Sequence, residues 1–119
     1  MFGNKKNLAM SDQMETLIGL STSIKGSLTS SGALRIDGQF EGELTTTADI
    51  IVGESGRVTA TVGAKNAIVA GSVTGNMDIG DKLELMPTAK IVGDIKVGSF
   101  IIGEGAIFKG NCEMRQPIE

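Results

Sequence analysis

Histidine, tryptophan and tyrosine are absent from these 119 residues, and the chain holds one cysteine, two prolines and four phenylalanines. Without histidine there is no Ser-His-Asp or Cys-His nucleophile, no His-ligated zinc and no imidazole base. The single cysteine, Cys112, has no internal disulfide partner, which fits a reducing compartment. No apolar run approaches the roughly 18 residues of a membrane-spanning helix. The opening ten residues, MFGNKKNLAM, lack the continuous apolar stretch of a secretory signal, so the sequence predicts an intracellular, cytoplasmic chain. A net charge of −3 with a pI near 4.9 argues against a nucleic-acid partner, which requires a clustered cationic surface. A Walker-type glycine loop is missing too. The nearest approach to GxGxxG, Gly103–Phe108, has Phe108 where the third glycine belongs and reads as a turn, so no nucleotide is expected.

What the chain has is glycine, 17 residues, within a composition that is 40% hydrophobic and 21% charged. That suits one packed domain with an aliphatic core. A five-residue pattern, apolar–x–small–x–apolar, runs through it six times. The copies are Ile24–Leu28 (IKGSL), Phe40–Leu44 (FEGEL), Val58–Val62 (VTATV), Val73–Met77 (VTGNM), Ile91–Ile95 (IVGDI) and Phe108–Cys112 (FKGNC). A further apolar anchor precedes each copy, by six residues at Ile18, Val52, Leu85 and Ile102, and by four at Ile36 and Val69. Copies two and four therefore have a linking turn shorter by two residues.

Apolar residues at i and i+4 share one face of a strand, because side chains alternate with period two. The β-branched content and a glycine in nearly every copy oppose a helix. A repeat of about 17 residues is too short for a βαβ unit of about 30, but it accommodates one coil of short strands joined by tight turns. Six stacked coils would bury a continuous core in a rod about 29 Å long at 4.7–4.9 Å per coil. The small central residue is expected to point inward at the middle of a flat wall. Gly38, Gly53, Gly56, Gly71, Gly103 and Gly105 are expected in turns, at positive φ. The organisation predicted is an N-terminal tail over 1–16, a β-solenoid over 17–114 and a C-terminal tail over 115–119.

Little chemistry emerges. Asp37, Glu41, Glu43 and Asp49 could be imagined as a carboxylate pair for glycan chemistry, but outward strand positions make them solvated surface. The Thr59–Thr61 pair has no counterpart in other copies, so no threonine array exists. Cys112 fills the last apolar slot of copy six and reads as a small buried hydrophobe. No catalytic residue, metal ligand or cofactor site is predicted. The ends of the stack are a different matter, since a solenoid that stays monomeric needs polar caps. Ile18, Ile24 and Leu28 fall in the first coil and Phe108, Cys112 and Met114 in the last, so bare ends predict self-association. The tip, Met1 and Phe2 with Lys5 and Lys6, combines apolar and cationic groups suited to an anionic lipid surface.

In this arrangement the residues resemble the bactofilins, a family of bacterial polymer-forming cytoskeletal proteins. The resemblance rests on the sixfold spacing together with Leu34–Gly38 (LRIDG), Val52–Gly56 (VGESG), Leu83–Ala89 (LELMPTA), Gly93–Ile95 (GDI) and Gly105–Gly110 (GAIFKG), and covers about residues 17–114. It implies an all-β, right-handed, roughly triangular parallel β-helix of about six windings. It also implies nucleotide-independent assembly into non-polar filaments that scaffold cell-shape or cell-wall machinery at the inner face of the cytoplasmic membrane. Phe108 matches a hydrophobic position of the family's C-terminal contact, and Met1 and Phe2 match its membrane-targeting start. Two other readings remain open on the residues alone: a relative of the hexapeptide-repeat acyltransferases, lacking their histidine, and a monomeric binding module.

Overall fold

The computed structural model describes residues 16–114. Every regular element among them is a strand, and every pairing is parallel. Numbered in chain order, β1 (Thr16–Ile18), β3 (Leu34–Ile36), β5 (Asp49–Val52), β7 (Asn66–Val69), β10 (Lys82–Leu85) and β13 (Ser99–Ile102) form a six-stranded sheet, one strand from each coil. A second sheet holds the repeated motif. In the first three coils the motif lies in unbroken strands, β2 (Ser23–Ser30), β4 (Gln39–Thr46) and β6 (Arg57–Ala64). In the last three it is split in two: β8 (Ser72–Thr74) and β9 (Met77–Ile79), β11 (Lys90–Val92) and β12 (Ile95–Val97), β14 (Ile107–Lys109) and β15 (Cys112–Met114). The chain is a β-solenoid of six coils.

Register follows the apolar pattern read from the sequence. Leu34, Ile50, Ala67, Leu83 and Phe100 stack in one inward column of the first sheet, and Ile36, Val52, Val69, Leu85 and Ile102 in the next. In the second sheet Phe40, Val58, Val73, Ile91 and Phe108 stack likewise. From coil two to coil five these residues are buried, so one aliphatic core runs along the axis. Thr46 is the one buried polar residue described, and its hydroxyl is satisfied twice, donating to the Gly32 carbonyl at 2.6 Å and accepting from the Ala48 N–H at 3.1 Å.

The linking turns follow the anchor spacing, alternating long and short through coil five, with coil six repeating the long turn. Long turns close with a carbonyl to N–H bond from residue 53 to 56 and from 86 to 89, both 2.9 Å, with Pro87 at the second position where its fixed φ suits a β-turn. The long turns of coils three and five tie to the short turn of the coil before them. Ser55 donates its hydroxyl to the Asp37 carbonyl at 2.8 Å, and Thr88 donates to that of Ala70 at 2.6 Å. Carbonyls that a shorter loop leaves without a ladder partner are thereby bonded.

Two expectations about glycine are corrected. The central glycine of the motif is not an inward residue on a flat wall. Gly42 has φ 131° and Gly93 φ 140°, values L-residues rarely adopt, and a Cβ there would run into the carbonyl oxygen of Gly26 or Gly75 one coil earlier. In the last three coils the strand is interrupted at this residue, whereas β2 and β4 run through it. Ala60 has no positive φ and is buried. Of the turn glycines named from sequence, Gly105 alone has positive φ. Gly71 is small for another reason, since the Gly53 and Gly56 carbonyls occupy the space a side chain would need.

Candidate polymerisation surfaces at the two ends

β1 and β13 are the edges of the first sheet, and their outer backbone groups have no neighbouring strand among the described residues. The side chains above them change environment abruptly from one coil to the next. In coil five Leu85, Ile91, Ile95 and Val97 are buried, Leu85 to 1% exposure. One coil on, in the same columns, Ile102 is 52% exposed, Phe108 is half-buried, and Cys112 and Met114 are exposed, Met114 at 49%. Ile107 is exposed beside them. Phe100 and Phe108 meet edge to face across this end, with ring centroids 5.7 Å apart and planes at 85°. This contact fixes an aromatic plate over the core.

Cys112 is therefore corrected from the buried hydrophobe expected. It stacks on buried Ile95, no strand among the described residues covers its other side, and the thiol is exposed. What burial remains raises the thiol above its ordinary pKa by desolvation. At the opposite end, Ile24 and Leu28 are half-buried and packed against the core, whereas Ile18 is 3% exposed and belongs to the core itself. Leu17 and Leu20 are the large apolar residues exposed in the first coil. Met1, Phe2, Lys5 and Lys6 lie outside the described residues.

Sequence reasoning missed Phe100, Ile102 and Ile107 as end residues, although the register was available. Ile102 follows Leu85 by one repeat in the same inward column, and its exposure marks it as an uncovered core position among the described residues. The carboxylates behave as surface groups: Asp37 accepts from Arg35 Nε at 3.0 Å, Glu41 lies 3.9 Å from Lys25 Nζ, Glu43 accepts from the Ser27 hydroxyl at 3.3 Å, and Asp49 accepts from Asn66 Nδ2 at 3.1 Å. Among the described residues no group of three His, Cys, Asp or Glu is placed to hold a metal ion, and no helix is long and apolar enough to cross a membrane.

With this geometry in place, comparison with known proteins is decisive. The family model described as "Bactofilin: Polymer-forming cytoskeletal" matches residues 16–113. The chain belongs to the bactofilin family. It is similar to two bactofilins of Myxococcus xanthus, 42% identical to BacP over 110 residues and 39% identical to BacO over 99. The match takes in 92% of this chain but 46% of BacP, and 83% of this chain with 79% of BacO. The chain thus spans under half the length of BacP. Among solved structures, a crystal structure of a mutant bactofilin from Thermus thermophilus superposes with a TM-score of 0.70 at 28% identity, covering 73% of this chain and 97% of that one. Bactofilin membership places the six-coil solenoid in a polymer-forming cytoskeletal family.

Proposed function

We propose that this bactofilin assembles end to end through its terminal coils, without nucleotide, into non-polar filaments that scaffold cell-shape or cell-wall machinery at the cytoplasmic membrane. The observation that carries the reading is the jump in exposure between coil five and coil six along unbroken inward columns. Burying those residues against another copy continues the core and pairs the open edges. About half a dozen ladder bonds contribute about 0.5–1.5 kcal/mol each. With apolar burial at about 25 cal/mol per Å² they offset an association cost of about 4–15 kcal/mol. A contact at each end propagates into a filament. Among outward groups, Lys25 of the first coil and Lys109 of the last share one column. Head-to-tail stacking would bring these like charges together, which supports alternating head-to-head and tail-to-tail contacts.

Phe108→Arg places a charge in the terminal plate and is expected to leave monomers or small oligomers under negative-stain microscopy. Long filaments from that variant would show the C-terminal contact to be misassigned. Membrane attachment is assigned to Met1, Phe2, Lys5 and Lys6. A single tip binds weakly, at about 1 kcal/mol per basic residue near the surface, and a polymer multiplies it by avidity. Deleting residues 1–7 is expected to abolish co-sedimentation with anionic liposomes while filaments persist; unchanged sedimentation would remove the tail from the reading.

A further inference from the structure

The outward face of the first sheet carries a column that points away from the core and, apart from Leu17 in the first coil, was not among the end residues described above. In register it runs Leu17, Arg35, Ile51, Ile68, Glu84, Ile101 from the first coil to the last. Leu17, Ile68 and Ile101 are exposed, Ile51 and Glu84 half-buried, and the Arg35 side chain is 39% exposed. Four large apolar side chains thus line one outward stripe parallel to the solenoid axis, in a chain whose other outward columns are largely polar. The order of the six is also self-complementary. Reversing it sets Leu17 against Ile101, Arg35 against Glu84 and Ile51 against Ile68.

We infer that this face is a lateral contact between two copies of the chain running antiparallel, related by a two-fold axis that lies along the strand direction between coils three and four. That operation reverses coil order but keeps strand direction, so the column meets its own reverse at the spacing of about 10 Å usual for packed sheets. Arg35 of each copy then faces Glu84 of the other, with Ile51 and Ile68 closing the centre. The adjacent outward column is compatible. Asp49, Asn66 and Lys82 follow one another there, and reversal sets Asp49 opposite Asn66 of the second copy, with that copy's Lys82 one coil away on the diagonal. The parallel alternative, with each coil against its equivalent, puts Arg35 on Arg35 and Glu84 on Glu84, which opposes it.

Size determines where this contact operates. Six strands of three or four residues present about 350 Å² on each copy from standard strand dimensions. Some 700 Å² in total is below the roughly 1,200 Å² of a stable pair, so isolated subunits associate weakly. Subunits arrayed on a filament repeat the contact and gain avidity. Filament pairing thus rests on the assembly proposed above, whereas the pairing geometry of two single chains does not.

The test separates the two. Two single-cysteine chains are mixed at high concentration, both carrying Phe108→Arg and Cys112→Ser, one with Leu17→Cys and the other with Ile101→Cys, and treated with a short bismaleimide. The 17–101 heterodimer is expected to predominate over both homodimers. Its yield should fall about tenfold on adding Glu84→Arg, which sets like charges face to face, and should recover when Arg35→Glu is added to Glu84→Arg. If the double variant folds poorly by circular dichroism, the heterodimer of the parent pair must still decline as salt is raised. Predominant homodimers, or a heterodimer insensitive to both Glu84→Arg and salt, would overturn the inference whether or not the protein polymerises. In the unmodified chain, paired filaments that become single with Glu84→Arg under negative stain extend the result to the polymer. Filaments equally paired with Glu84→Arg would overturn it there.

Discussion

At the residue scale the motif glycine and its one replacement, Ala60, make opposite demands. Gly93 sits at a φ an L-residue rarely adopts and its missing Cβ is replaced by the Gly75 carbonyl. Gly93→Ala is therefore expected to destabilise the fold by about 3 kcal/mol or more, combining backbone strain with a clash against main chain. Ala60→Gly, at ordinary strand angles and 7% exposure, should lose only about 0.5–1 kcal/mol. Urea denaturation of the two variants in a Phe108→Arg background measures the contrast. The spacing identified all six positions but misread their reason. An inward position limited only by volume tolerates Ala as readily as Gly; five glycines against one alanine is the signature of a φ requirement, and that signal was present in the sequence.

At the scale of the element, the strands were the most legible part and the turns nearly so. Inward columns such as Ile36–Val52–Val69–Leu85 follow from period-two alternation and one shared anchor spacing, and the two-residue deficit in copies two and four located the short turns. The hydroxyl ties were not legible, because Ser55 and Thr88 look like any polar turn residue until the neighbouring coil is placed beneath them. Thr88→Val removes the bond to the Ala70 carbonyl, a 2.6 Å contact, but leaves that oxygen near solvent. The expected loss is about 1 kcal/mol with an unchanged denaturant slope. A loss near zero would mean that water replaces the hydroxyl fully. The same limit explains Cys112: its place in an apolar column was legible, but exposure depends on whether a seventh coil exists.

For the whole molecule, the assembly proposed above would cover Cys112 at the C-terminal face. Because residual burial holds the thiol above its ordinary pKa by desolvation, little thiolate forms at neutral pH and alkylation should quicken as the pH is made alkaline. Iodoacetamide is then expected to label Phe108→Arg subunits readily at alkaline pH and filaments of the unaltered chain at least about tenfold more slowly, a protection equivalent to about 1.4 kcal/mol. Equal labelling rates, read by mass spectrometry, would place Cys112 outside the contact.

The all-parallel stacking has one more consequence. Strands lie across the rod, and joining rods at their tips keeps every strand across the fibre. Such a fibre shares with amyloid a meridional X-ray reflection at about 4.8 Å. Amyloid, however, obtains that repeat by adding a whole molecule at each step. Here a single chain supplies six successive layers before the next molecule begins, so the seams that can open are few and evenly spaced. In the proposed filament a cell would thereby gain a cross-β material that comes apart at defined joints, each the edge of an already folded subunit.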